Sequence, residues 1–180
     1  MKIKQQKQIK AFLAESFGND RGGKLFEMQD KALGEIIGNT KGKTENQMKT
    51  LIQTILPRIA LYKSFIAAGL SDDDVYKYMR KYMLEIVPGF YAIYSRVFLK
   101  IMRTTDLQES VQEHGKDYFN VTITKCLWHT ACVENGCEEL CRLFCDVDDV
   151  TYGGLKKIGF TRTKTLGYGG DCCDFHMFRK

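Results

Sequence analysis

Near residue 117 the hydrophobic period of the chain changes, and no other feature limits the fold as strongly. Before it, apolar residues recur every three or four positions, as on a helix face; after it, aromatic and β-branched residues gather in short runs, as in strands. The expected architecture is therefore α+β: an N-terminal helical segment, then an antiparallel sheet with packed helices, ending in a β-hairpin. The 180 residues suit a single domain. Residues 1–115 are expected to be mainly helical, and residues 116–180 mixed strand and helix carrying the site.

The helical part reads clearly from Thr44 to Ala68, where Met48, Leu51, Ile52, Ile55, Leu56, Ile59, Tyr62 and Ile66 share one face. Pro57 lies inside that run and is expected to kink it unless a new turn begins there, because proline brings no N–H. Ser71 followed by Asp72, Asp73 and Asp74 reads as an N-cap with an acidic first turn, starting a helix with Val75, Tyr78, Met79, Tyr82, Met83 and Ile86 on one stripe. Phe90, Ile93, Tyr94, Val97, Phe98 and Ile101 predict another. Residues 2–17 and 24–37 look helical, with turns at Gly18, Gly22 and Gly23 and from Gly38 to Gly42.

In the last third, Tyr118 to Thr124 reads as a strand leading to Cys126, and a short helix is expected from Cys137 to Phe144, with Asp146, Asp148 and Asp149 beyond it. Lys157 to Arg179 predicts a hairpin turning at Gly169-Gly170, which would pair Leu166 with Cys173 and Arg162 with Met177. Alternation then puts Phe160, Arg162, Leu166, Cys173, Phe175 and Met177 on one face and Thr163, Thr165, Asp174 and His176 on the other. The first is the core face. A guanidinium among those apolar groups requires an anion, either an internal carboxylate such as Asp148 or the carboxylate of a bound ligand. The opposite assignment of the faces would make Thr163, Thr165, Asp174 and His176 a polar site, with Asp174 and His176 as an acid and base pair.

All seven cysteines fall after residue 125. Their odd number and the absence of an export signal favour free thiols and a cytoplasmic protein. No apolar run approaches a membrane span. The net charge of +5 comes from scattered residues: residues 1–50 hold ten Lys/Arg against six Asp/Glu, and residues 101–150 four against ten. Nothing resembles the basic, aromatic-interleaved platform that binds nucleic acid, so the expected partner is a small molecule, with self-association left open.

Gly136-Cys137-Glu138-Glu139-Leu140, Phe144-Cys145-Asp146-Val147-Asp148, Arg162-Thr163-Lys164-Thr165-Leu166 and Gly169-Gly170-Asp171-Cys172-Cys173-Asp174-Phe175 together resemble the L-2-amino-thiazoline-4-carboxylic acid hydrolase family. Leu56-Pro57, Ala60-Leu61-Tyr62 and Gly69-Leu70-Ser71 are similar to its N-terminal pattern, so the resemblance spans residues 44–180. It implies water-dependent opening of a cyclic isothiourea carboxylate to N-carbamoyl-L-cysteine. The hairpin is also similar to vinyl-reductase-type ligand-binding domains, which implies the alternative of a non-catalytic sensor. Those domains hold zinc through an acidic residue and cysteines, but Arg162 and Thr165 stand at the matching acidic and first cysteine positions here.

Such a reaction requires a grip on the carboxylate, a group that attacks or activates water at the ring carbon, and an acid for the departing atom. Arg162 suits the first, with Thr165 and Cys126 as further substrate-binding candidates. The catalytic candidates are Cys145 and Cys173 as nucleophiles, Asp148 and Asp174 as bases, and His176 as a helper. No cofactor is required, although Cys126, Cys145, Asp148 and Cys173 are residue types that could hold a divalent metal. Inert packing explains each cysteine equally well.

Overall fold

The computed structural model describes residues 3–86, 106–156 and 158–180, so the helix expected at Phe90 to Ile101 lies outside the described residues. The fold is α+β, and the chain forms two compact units, Met1–Ile86 and Val87–Lys180. Among the described residues no helix is long and apolar enough to cross a membrane.

The first unit is helical: α1 (Lys4–Phe17), α2 (Asn19–Asn39), α3 (Glu45–Thr50), α4 (Leu56–Ala67) and α5 (Asp72–Arg80). Gly22 and Gly23 belong to α2 rather than to a turn. Only Gly18, with φ of 78°, makes the reversal, while a Cβ at Gly22 would come within 2.5 Å of the Leu13 carbonyl oxygen, so glycine there lets α1 and α2 approach closely. A π-helical turn, Leu51–Ile55, precedes α4 and places Pro57 in that helix's first turn, where its missing N–H does least harm. Gln5 of α1 completes the arrangement. Its amide donates to the carbonyls of Gln53 and Thr54 at 2.9 and 3.1 Å, and buried Gln29 donates to the Pro57 carbonyl at 3.2 Å. Ser71 caps α5 as expected, accepting from the Asp74 N–H.

The second unit is built on a four-stranded antiparallel sheet in the order β1 (Gln108–His114), β2 (Tyr118–Cys126), β4 (Cys173–Arg179), β3 (Ile158–Thr161). Two helices follow β2: α6 (Leu127–Glu134), not expected from the sequence, and α7 (Cys141–Gly153). The latter begins four residues later than predicted and runs through Asp146, Asp148 and Asp149, which are helical rather than beyond a helix. Phe119, Val121, Ile123, Phe175 and Met177 bury one sheet face against Tyr152, Phe160 and Leu166, each large side chain contributing about 1.5–3 kcal/mol.

The hairpin register differs from the expectation. Phe160, not Arg162, lies opposite Met177, and Thr161 opposite His176. Instead of a two-residue turn, residues 162–172 form a long loop with a 3-10 turn at Leu166–Tyr168. The displacement is two residues, so the β4 side chains keep their faces, Cys173, Phe175 and Met177 buried and His176 exposed, whereas Thr165, expected on the outer face, is buried in the loop.

Candidate active site

Three pieces of backbone bring reactive side chains together at one end of the sheet. The first is a bulge. Ser110 pairs with Ile123 but Glu109 with Lys125, so Thr124 is an extra residue on β2, and the pairing resumes with Gln108 opposite Cys126. That insertion reverses the alternation locally and turns Cys126 towards the core side, where it packs against the apolar cluster.

The second piece is α7, on which Cys141, Cys145, Asp148 and Tyr152 recur at helical spacing on one face. The third is the 162–172 loop. Asp174 anchors its start, accepting from the N–H groups of Thr163 and Lys164 at 2.9 and 2.8 Å and from the Thr163 hydroxyl at 2.5 Å. Thr165, almost wholly buried, caps the 3-10 turn by accepting from the Tyr168 N–H at 3.3 Å. Gly167 then rests on α7. A Cβ there would lie 2.8 Å from the Cys145 sulfur and 3.0 Å from the Cys141 carbonyl oxygen, so any side chain would lift the loop away.

Thiols meet where these pieces converge. Leu166 N–H donates to Cys173 Sγ at 3.3 Å. Cys145 receives hydrogen bonds from the Cys141 and Cys173 thiols, the Thr165 hydroxyl and the Gly167 N–H, which together hold its thiol below the usual range against the opposing effect of burial. Hydrogen bonding to Cys145 and then burial push Cys173 up; burial alone is the main cause for Cys126, raised to about 11. The contacts continue inward from Cys141 to Cys132 and Cys137, both buried, and every cysteine is free.

Beside the thiols lies an acid and base pair of opposite character. Asp148 is partly buried, and loss of hydration followed by the negative charge of Cys145 pushes its carboxyl up to about 8, although Arg162 pulls it down. It is therefore protonated near neutrality. Arg162 does have the anionic partner its position demands, but that partner is Asp149, whose Oδ2 lies 2.5 Å from Nη2. The Arg162 side chain is only 9% exposed, and its other terminal nitrogen, Nη1, is buried without a hydrogen-bond partner.

That unfilled guanidinium donor joins the hairpin pattern to the sequence match. The family model of L-2-amino-thiazoline-4-carboxylic acid hydrolase covers residues 26–177. The chain belongs to that family. No curated protein and no solved structure matches it. The match takes in every element just described, from Gln108 on β1 to Met177 on β4.

Of the residues singled out in the sequence of this family member, Cys126, Cys145, Asp148, Arg162, Thr165 and Cys173 come together. Asp174 and His176 do not join them. Both Asp174 oxygens are engaged by the loop, and those bonds hold the carboxyl low despite its partial burial. His176 is on the outer face of β4, its Nδ1 2.5 Å from the Asn120 amide oxygen and its ring stacked on Phe178. Among the described residues no three His, Cys, Asp or Glu side chains form a group that could hold a metal ion. Sequence reasoning missed Gln108 and Thr151, whose buried Oε1 and Oγ1 also have no partner.

Proposed function

We propose that this protein hydrolyses L-2-amino-thiazoline-4-carboxylate, or a close cyclic isothiourea carboxylate, by thiol catalysis. The observation that carries the reading is the buried, unpartnered Nη1 of Arg162, a side chain whose charge reaches Asp148, as does that of Cys145. An unsatisfied buried donor costs about 1–3 kcal/mol, more when charged, and a ligand carboxylate removes that cost.

With the carboxylate on Arg162, the Cys145 thiolate attacks the ring carbon that bears the exocyclic amino group. The tetrahedral adduct collapses by breaking the carbon–sulfur bond of the ring, and Asp148 gives its proton to the departing sulfur. This leaves an open-chain isothiourea on Cys145. Water then attacks the same carbon while Asp148, now ionised, takes a proton from it. The Cys145 thiolate leaves, and the product is N-carbamoyl-L-cysteine, one water having been consumed. Asp148 thus serves as acid and then as base, a role suited to a carboxyl that titrates near 8. The Cys141 and Cys173 thiols, the Thr165 hydroxyl and the Gly167 N–H keep Cys145 ionised between turnovers.

Incubating the full chain with L-2-amino-thiazoline-4-carboxylate and following N-carbamoyl-cysteine by mass spectrometry tests this. The expected result is turnover, with a covalent adduct on Cys145 trapped by acid quench. Tight binding without turnover would instead favour a sensor that uses the same clasp.

A further inference from the structure

The apolar lining of the sheet stops at β1. On β2 and β4 the inward residues are Phe119, Val121, Ile123, Cys173, Phe175 and Met177, whereas on β1 the positions facing the same way are Gln108, Ser110 and Gln112. All three are partly buried, while Glu109, Val111 and Glu113 between them are exposed. A strand that turns its polar side inward is the reverse of the usual arrangement for an edge strand packed on a core. Gln112 and Ser110 satisfy each other, the amide donating to the hydroxyl at 3.2 Å. Gln108 does not share in that exchange. Its Oε1 is buried and has no partner.

The bulge at Thr124 decides where Gln108 lies. Because the pairing resumes with Gln108 opposite Cys126, the amide stands next to a thiol that packs against the apolar cluster holding Cys173 and that feels the charges of Asp148 and Cys145. The site thus has a cationic clasp at Arg162 and, at the sheet edge beside Cys126, a neutral side chain with an unfilled hydrogen-bonding atom. Buried polar atoms in native proteins are nearly always paired, so an orphan at the wall of a reactive cluster points to a ligand that supplies the missing partner.

We propose that Gln108 is a specificity-determining residue, its side-chain carbonyl accepting an N–H from the amidine portion of a ligand whose carboxylate is held by Arg162. This rests on the hydrolase reading and adds to it how the site tells an amino-substituted ring from one without the amino group. A site built to hydrogen-bond a substrate N–H rejects the analogue lacking it far more strongly than an apolar pocket does.

The test compares two ligands by calorimetry on a Cys145→Ser parent, which prevents turnover, and on two variants made in it. One ligand is L-2-amino-thiazoline-4-carboxylate and the other L-2-thiazoline-4-carboxylate, which keeps the ring with its C=N bond and the carboxylate but lacks the exocyclic amino group. The expected result is that the amino ligand binds roughly tenfold or more tightly than the other, that Gln108→Leu removes most of this preference by weakening the amino ligand alone, and that Gln108→Glu retains or increases it. An unchanged preference in Gln108→Leu overturns the inference and leaves the hydrolase reading standing. If Gln108→Leu does not fold, Gln108→Glu decides: a preference lost in Glu, which keeps an acceptor of the same reach, overturns it equally. Failure of both ligands to bind the parent overturns the inference and the hydrolase reading together.

Discussion

The two units use their buried amide and guanidinium groups differently, although each holds a buried side-chain atom with no partner, Ser16 Oγ being one in the helical unit. In the helical unit the largest buried amides serve the backbone: Gln5 and Gln29 fill carbonyls around the π-turn and Pro57, where helix geometry would otherwise leave them open. In the sheet unit Arg162, Gln108 and Thr151 each hold a buried atom with no partner, and the same unit holds sulfur atoms that share one another's hydrogen bonds. The first pattern stabilises a fold. The second leaves polar atoms ready for something that is not part of the chain.

The largest effect separating the two should come from Cys145. Cys145→Ser is expected to lower kcat by roughly 10⁴-fold or more, since loss of a nucleophile disables the whole assembly, with a melting temperature close to that of the parent. Rapid-quench mass spectrometry should also show the covalent adduct disappearing. Turnover surviving at a tenth of the parent rate would assign Cys145 to packing.

Next comes Asp148, whose folded-state pKa of about 8 lies above the ordinary carboxyl value. The folded protein therefore holds a proton that the unfolded chain releases, and stability attributable to this group falls as pH rises from about 4 to about 8, then levels off. Asp148→Asn should remove that slope. Its melting temperature should match the parent near pH 4 and exceed it by on the order of 10 °C at pH 8, while turnover drops by about 10²–10⁴-fold. In the parent, activity should decline on an alkaline limb near pH 8. A parallel pH profile of stability in parent and variant would contradict the assignment.

Gln5→Leu probes the other side of the contrast. Stranding the Gln53 and Thr54 carbonyls should cost about 1–3 kcal/mol of stability and leave kcat/KM within about threefold, since the defect belongs to the helical unit and the chemistry to the other. Thermal melts and steady-state rates on one preparation check both halves.

The legible parts of the molecule are those written in periodic apolar residues. Alternation along Tyr118–Thr124 and Cys173–Met177 predicts both central strands and their buried faces, and Ser71 with its aspartates predicts the start of α5. β1 is hidden from such reasoning because its inward positions are Gln108, Ser110 and Gln112, so no apolar alternation marks it. The predicted hairpin is two residues out because Gly169-Gly170 resembles a tight turn, while the loop actually folds back on α7 through Gly167, an approach only the tertiary structure supplies. Three aspartates make the second half of α7 look like a loop, although Cys141, Cys145, Asp148 and Tyr152 already carry helical spacing. That Arg162 needs an anion is readable from its neighbours. That Asp149 fills only half of the guanidinium is not, because it depends on the relative rotation of a helix and a loop.

Arg162→Met tests the central claim most directly, with melting temperature and kcat/KM measured on the same protein. Without the desolvated guanidinium to hold the ligand carboxylate, kcat/KM should fall by roughly 30-fold to 1000-fold. Stability should change little, because Asp149 is 51% exposed and can be hydrated once released, and methionine suits the apolar surroundings. A large fall in melting temperature with substrate affinity intact in the folded fraction would contradict the account and make Arg162 a structural ion pair.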